Sequence, residues 1–233
     1  VIDALRHSAA HVFVDQIESP ALSGDDDHHL ARVLRLRDGE SVTVSDGRGQ
    51  WRVCVWLQGN LAVVDGADGA VHAMPAPAQR CAVAFTPVKG DRNEWAVQKL
   101  TEIGIDEIVM LAPTQRSVVR WSDADKQLRK LRVVAREAAM QSRRVWLPNI
   151  VGLMSLRDVC ARAGAVVAEP NGAPLTPGMS LVVVGPEGGF ADDELLATTP
   201  RVCLGDTVLR AETATLVAAT LLVAQRNATA SGR

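Results

Sequence analysis

The sequence predicts a two-part chain: a small β-barrel or sandwich, then an α/β domain on a mostly parallel sheet. Three observations predict it. Short alternating apolar and polar runs, separated by Asp-Gly and Gly turns, fill the first third of the chain. Residues 74–79, with Pro75 and Pro77 among alanines, read as a linker. Beyond them strands alternate with helices, the pattern of a parallel sheet covered on both faces. At 233 residues and 47% apolar, the chain is long enough to bury a core and too apolar to be wholly disordered. Five Trp, three Phe and no Tyr leave Ala, Val and Leu to fill that core, and make stacking platforms for single-stranded nucleic acid scarce.

In the first part, strands are predicted at 11–14, 41–44, 51–57 and 61–64, with turns at Asp38-Gly39, Asp46-Gly47 and Gly59-Asn60. A helix over 28–35 interrupts them, and Asp25, Asp26 and Asp27 are placed to cap it. These acids beside His28 and His29 resemble a metal cluster, but capping explains them and no metal is expected. Trp51 and Trp56 fall on opposite faces of one strand, so alternation puts at most one of them in the core.

In the second part, strands are predicted at 81–86, 107–111, 165–168, 181–184 and 201–204. Helices are predicted at 91–103, 123–141, 155–163, 192–197 and 212–225, and 227–233 reads as a frayed tail. The helix over 123–141 carries an apolar stripe of Leu128, Leu131, Val134 and Ala138.

Several function classes are excluded by pattern alone. The most apolar stretches, 181–184 and 215–224, fall far short of the ~20 residues of a membrane span, so no membrane partner is expected. No basic segment followed by an apolar block marks a signal peptide. Cys54, Cys81, Cys160 and Cys203 are scattered without a CxxC spacing, which argues against zinc knuckles and redox motifs and fits a reduced, cytoplasmic compartment.

The net charge of −2 hides an asymmetry, since residues 1–76 sum to −5 and residues 77–233 to +3. Residues 113–145 concentrate nine cations, among them Arg116, Arg129, Arg132, Arg143 and Arg144, against three acids. Such a run is either a polyanion-binding face or a solvated helix face. Arg32 and Arg35 offer phosphate contacts in the acidic part, or are single surface charges.

In open α/β sheets, ligands bind beyond the carboxyl ends of the strands. Three such ends carry unusual loops: Glu169-Pro170-Asn171-Gly172, Gly185-Pro186-Glu187-Gly188-Gly189-Phe190, and Gly205-Asp206-Thr207-Val208-Leu209-Arg210-Ala211-Glu212-Thr213. Alone, each is a tight turn; three together make a pocket. There is no GxxxxGK[ST], no GxGxxG at the first strand and no GxSxG. All five histidines precede the linker, and no serine sits in the loops, which argues against a Ser-His or Cys-His nucleophile. Glu169, Glu187, Asp206, Arg210, Glu212 and Thr213 remain, a set suited to an electrophile supplied ready-made by a cofactor.

The stretch Leu204-Gly205 through Leu209-Arg210-Ala211-Glu212-Thr213-Ala214 resembles the LG…LR-x-ETA signature of the RsmE family, 16S ribosomal RNA (uracil-N3)-methyltransferases of the SPOUT class. Gly185–Phe190 matches that family's GPEGGF, and His28-His29-Leu30…Val33-Leu34-Arg35 resembles its HHL-x-x-VLR. Lys89-Gly90-Asp91, Gln98-Lys99…Glu102-Ile103-Gly104, Arg116-Ser117-Val118 and Glu137-Ala138-Ala139…Gln141-Ser142-Arg143-Arg144 also match, so the resemblance runs from about residue 28 to 220. Ala191 departs from it, standing where the family often has Ser or Thr; Asp192 is an alternative cap.

The resemblance implies a PUA-like or OB-like β-barrel over 1–74 that binds RNA, and a SPOUT methyltransferase domain over 80–233 with a C-terminal trefoil knot. It implies S-adenosyl-L-methionine held by Glu169, Gly185, Pro186, Glu187, Gly188, Gly189, Leu204, Gly205, Val208, Leu209 and Thr213. It also implies a homodimer, with 16S ribosomal RNA or the small ribosomal subunit as partner. The catalytic candidates are Arg210, whose guanidinium suits the uracil anion, and Glu212, which reads as loop organiser rather than general base. For Arg210 the other reading is a salt bridge to Glu187 or Glu212. Two rival functions remain: a SPOUT enzyme of another RNA position or of tRNA, and a ribosome-assembly factor that only binds RNA.

Overall fold

The computed structural model describes residues 2–195 and 198–230. The chain divides into two compact units, 1–77 with 136–147, and 78–135 with 148–233.

The first unit opens on helix α1 (Ile2–His7) and holds a five-stranded sheet of β1 (Ala10–Phe13), β2 (Ser41–Ser45), β3 (Gln50–Leu57), β4 (Asn60–Val63) and β5 (His72–Ala73). β1 runs parallel to β2; β3 pairs antiparallel with β2, β4 and β5. β5 lies just ahead of the Pro-rich segment and escapes pattern reading because it is two residues long.

Helix α2 (Gly24–His28) starts at Ser23, whose hydroxyl accepts from the Asp26 amide, and runs into a wider π-turn over His29–Val33. Ser23 is thus the cap, in place of the three acids expected there. Asp26 turns inward, buried, and accepts from both terminal nitrogens of Arg136.

Trp51 and Trp56 are both core residues, at 1% and 3% exposure, against the expectation of one. Alternation does send them to opposite faces, but both faces are covered. Trp56 packs with Val12, Leu30 and Val44, and Trp51 packs with Leu5 and Val145. The cover over Trp51 comes from α1 and from 136–147, a segment that a domain boundary drawn at the linker assigns to the second domain.

The second unit is a six-stranded, wholly parallel sheet in the order β11-β9-β10-β6-β7-β8. Its strands are β6 (Ala82–Phe85), β7 (Glu107–Leu111), β8 (Asn149–Met154), β9 (Ala165–Ala173), β10 (Leu181–Val184) and β11 (Arg201–Val202). The chain moves outward from β6 through β7 to β8, crosses to β9, and then inserts β10 between β9 and β6.

Alternate residues feed two cores. Val83, Phe85, Ile108, Met110, Val182 and Val184 face α3 (Arg92–Ile103), α4 (Ala124–Gln141) and α6 (Ala211–Ala230). Ala84, Val109, Leu111, Val167 and Val183 face α5 (Leu156–Cys160) and Phe190. Helices on both faces bury the central strands β6, β7 and β10, which is why these read as continuous apolar runs, while β8, β11 and the far half of β9 stay partly exposed.

The helix expected over 192–197 does not form within 192–195, which make a turn; residues 196 and 197 lie outside the described residues. Glu194 instead caps the Ala191 amide at 2.8 Å, and Asp193 accepts from the Gln115 side chain. The predicted tail is helical to Ala230, with 231–233 outside the described residues.

Candidate active site

The sheet order brings the carboxyl ends of β11, β9 and β10 side by side. Two of the three expected loops leave from β10 and β11; the third, Glu169-Pro170-Asn171-Gly172, is instead the far half of β9, where the register with β11 shifts. Between these loops lies a cavity of about 260 Å³. Ala168, Val184, Phe190, Leu209, Ala211 and Ala214 give it apolar lining. Glu169, Glu187, Thr207 and the backbone of the glycine-bearing turns give it polar lining. An apolar pocket with a few convergent polar groups is the usual form of a small-molecule site.

Glycine is needed at particular points of the second loop. At Gly185 a Cβ would come within 3.1 Å of the Phe190 ring, so a side chain there would displace the residue that anchors the loop in the core. At Gly189 the backbone takes φ +68°, a left-handed value that closes the turn through Gly189 N–H donating to the Pro186 carbonyl at 2.8 Å. Gly188 carries no such constraint; a Cβ there would only touch the Arg116 side chain at 3.5 Å.

The loop after β7 grips this turn from outside. Arg116 Nη1 donates to the Gly188 carbonyl at 2.8 Å, and the Gln115 amide donates to Glu194 Oε1 at 2.7 Å. Glu194 therefore holds Gln115 with one oxygen and Ala191 with the other. That answers the missing Ser or Thr at 191, and the cap is Glu194 rather than Asp192.

Of the predicted cofactor residues, Glu169, Gly185, Pro186, Glu187, Gly189, Leu204, Gly205, Val208 and Leu209 line the cavity. Gly188 and Thr213 do not; Gly188 faces Arg116, and Thr213 is exposed on the first turn of α6. Glu169 also meets Arg201 at 3.3 Å. Phe190 and Thr207 line the cavity too, although the loop patterns alone do not single them out.

The two catalytic candidates have different surroundings. Arg210 is exposed, between the lining residues Leu209 and Ala211, and forms no ion pair among the described residues. The alternative salt bridge from Arg210 to Glu187 or Glu212 is not formed. Arg92 takes that place, its Nη1 lying 3.3 Å from Glu212 Oε1 and 3.8 Å from Glu187 Oε1. Glu212 is largely buried, and its Oε2 has no hydrogen-bond partner. Arg92 follows directly on the Lys89-Gly90-Asp91 segment, but nothing local marks it, because its partners lie about a hundred residues away.

The basic candidates fall in both units. In the second, Arg129 and Arg132 are exposed on α4, with Arg132 at 3.4 Å from the Ile150 carbonyl. In the first, Arg32 and Arg35 are exposed in and just after the π-turn. Arg143 is committed within the first unit: it takes φ +59° and donates to the Ser8 carbonyl at 2.9 Å. The Arg144 carbonyl lies 3.2 Å from His11 Nε2.

Burial raises the Cys54 thiol to about 11 and also pushes Cys81 and Cys160 upward, so none of the three is poised as a thiolate nucleophile. No group of residues suited to a metal ion occurs among the described residues, nor is any described helix long and apolar enough to cross a membrane.

The family model for an RNA methyltransferase domain matches residues 75–223, and that for an RNA methyltransferase PUA domain matches 22–55. The chain is 34% identical to ribosomal RNA small subunit methyltransferase E of Mycobacterium bovis, over 93% of this chain and 87% of the relative. It is 26% identical to the Bacillus subtilis protein of the same name, over 88% and 90%. Among solved structures, a probable rRNA-methyltransferase from Porphyromonas gingivalis superposes with TM-score 0.76 at 28% identity, covering 94% of this chain and 99% of that one. The Neisseria gonorrhoeae ribosomal RNA small subunit methyltransferase E, bound to S-adenosyl methionine, shares the fold at 23% identity with TM-score 0.74, over 93% and 97%. With nearly the full length matched and both domain models in order, the chain belongs to the RsmE family of ribosomal RNA small subunit methyltransferases.

Proposed function

We propose that this chain, by family an S-adenosylmethionine-dependent methyltransferase of 16S ribosomal RNA, methylates N3 of a uridine. The observation that carries the reading is the cavity lined by the far half of β9 and the loops after β10 and β11. Its apolar lining suits an adenine; Glu169 and Glu187, with the loop amides, suit the ribose and the methionine tail. When bound, the cofactor supplies a methyl group on a sulfonium, which needs no further activation.

The protein's own task is to position the base and stabilise charge. The N3 lone pair of uracil is tied up in the imide until its proton leaves to solvent. The resulting charge spreads over N3 and both carbonyl oxygens. Arg210, unpaired among the described residues and flanked by cavity-lining residues, can present two parallel donors to that anion. Glu212, buried against Arg92, organises the loop rather than taking the proton.

The finer architecture belongs to the same proposal. Insertion of β10 between β9 and β6 supports a C-terminal trefoil knot of the SPOUT kind. The pairing of β3 with three strands supports a PUA-like barrel over 1–74, completed by 136–147, and the match of 22–55 to an RNA methyltransferase PUA domain supports RNA binding there, ahead of a catalytic domain made of the rest of 80–233. Leu221, exposed on α6, supports a homodimer through that helix, whose Ala211, Ala214, Ala218 and Ala219 pack into the unit's own core. Four unpaired cysteines and a ribosomal substrate support a cytoplasmic setting.

The test is nucleoside mass spectrometry of 16S RNA from a strain lacking the gene, with and without the gene restored. Loss and return of one N3-methyluridine is the expected result. An unchanged nucleoside profile rejects the assignment.

A further inference from the structure

Resting on that reading of the cavity, we infer that Arg92 is a positioning residue for methyl transfer: it fixes the loop after β10 and the start of α6 by bridging Glu187 and Glu212. Three observations carry it. The guanidinium stands on the first residue of α3, with Nη1 at 3.3 Å from Glu212 Oε1 and 3.8 Å from Glu187 Oε1. Glu187 lines the cavity, and Glu212 lies between its lining residues Ala211 and Ala214. Glu212 is mostly buried with one oxygen unpartnered, so Arg92 is the cation beside a carboxylate that water barely reaches.

Glu187 comes from the loop after β10 and Glu212 from the first turn of α6, and each carries a negative charge. Without a cation between them they repel; water screens Glu187, which is 64% exposed, but reaches Glu212, at 13%, far less, so part of that repulsion persists. Arg92 removes it. In doing so it sets the distance between the glycine turn and the Leu209-Arg210-Ala211 segment. Arg210 precedes Glu212 by two residues, so fixing Glu212 fixes the backbone from which Arg210 extends. Arg92 acts through its neighbours and need not touch the base.

The role calls for one positive charge rather than a two-pronged fork, because Nη1, the nearest nitrogen to both carboxylates, stands at ion-pair distances of 3.3 and 3.8 Å from them. Lysine at this position therefore retains most of it, in contrast to Arg210, where a paired donor geometry is required.

The experiment compares wild type, Arg92→Met, Arg92→Lys, Glu212→Gln and the Arg92→Met/Glu212→Gln double variant. Single-turnover methylation is measured at saturating cofactor, with calorimetric titration of S-adenosylhomocysteine and thermal melts alongside. Arg92→Met is expected to lose about 10- to 100-fold in turnover and about 5-fold or more in product affinity. Arg92→Lys is expected to recover to within a few-fold of wild type. The deficit of Arg92→Met should shrink in the Glu212→Gln background, because the charge it serves is gone. Turnover and product affinity of Arg92→Met within twofold of wild type overturn the inference. So does a lysine variant as impaired as the methionine one, or full additivity in the double variant. A wild-type protein that neither binds the product nor methylates RNA rejects the underlying cofactor reading instead.

Discussion

Arg136 and Asp26 form a two-point ion pair inside the first unit, Nη1 to Oδ1 at 2.9 Å and Nη2 to Oδ2 at 2.7 Å. Burial alone would push the Asp26 carboxyl upward, but the hydrogen bonds from Arg136 and Ser23 outweigh it and hold the carboxyl below its usual range. The same guanidinium donates to the Phe13 carbonyl and lies 5.8 Å over the Phe13 ring. It thus ties α2 and β1 to the last turns of α4. Replacing Arg136 by Met strands a buried carboxylate and should cost roughly 2–3 kcal/mol. Adding Asp26→Asn removes that stranded charge, so the double variant should be more stable than Arg136→Met alone. Denaturant titrations of both single variants and the double variant check the order.

This pair also shows where the sequence stops being legible. β7 and β10 fall where continuous apolar runs place them, at Glu107–Leu111 and Leu181–Val184, because a strand buried on both faces leaves a local mark. β8 leaves none: Pro148 precedes it, Gly152 interrupts it, and Ser155 at its end caps α5. The allegiance of 136–147 to the first unit rests on contacts such as Arg136 to Asp26, 110 residues apart, which no local pattern announces. The candidate site divides the same way. Its glycine loops are legible because backbone demands are local. Arg92 and the Gln115–Glu194 clasp are not, because they exist only once distant segments meet.

His11 gives the first unit a pH dependence. Its Nε2 faces the Arg144 carbonyl at 3.2 Å and its Nδ1 the Thr43 hydroxyl at 2.9 Å, so the neutral ring with the proton on Nε2 satisfies both. Burial, reinforced by the nearby Arg143 charge, lowers its pKa from 6.5 to about 4. Above pH 6.5 neither the folded nor the unfolded state holds the extra proton, and stability is full. Between 6.5 and 4 the unfolded chain takes up a proton that the folded one refuses, so stability falls as the pH drops. The accumulated cost at pH 4 should be roughly 3 kcal/mol. His11→Gln keeps a donor for the Arg144 carbonyl without the titration, and should flatten the decline in melting temperature between pH 7 and 5. An unchanged slope would place the acid sensitivity elsewhere.

The exposed cations of α4 are expected to contribute electrostatic RNA affinity. Arg129→Glu with Arg132→Glu should weaken binding to a 16S fragment and reduce its salt slope by about two, roughly one for each phosphate no longer neutralised. Arg129 is exposed and Arg132 makes only a long contact, so the fold and S-adenosylhomocysteine affinity should hold. Filter binding across a salt series reads the slope. If it does not change, these side chains form a solvated helix face.

Arg210 carries the sharpest prediction, because its surroundings separate chemistry from structure. It is exposed, has no ion-pair partner among the described residues, and sits between two lining residues of the cavity. Arg92, not Arg210, holds Glu212, so Arg210→Ala leaves the ion pair that supports the loop in place. Melting temperature and S-adenosylhomocysteine affinity should therefore stay near wild type. Turnover should fall by about 100-fold or more, the scale seen when a preorganised donor to a developing anion is removed. Arg210→Lys should recover little, since an ammonium cannot offer two parallel N–H groups to N3 and a neighbouring carbonyl oxygen. Raising the pH ionises more of the substrate imide without help, so the deficit of Arg210→Ala should narrow toward alkaline pH. Single-turnover methylation from about pH 7 to 9.5, the approach to the alkaline range in which weak acids of this kind ionise, is run beside thermal melts and measures all of this. A well-folded Arg210→Ala protein with near-normal turnover would remove the residue from the mechanism, and a constant deficit across that range would make it a docking contact rather than a stabiliser of the anion.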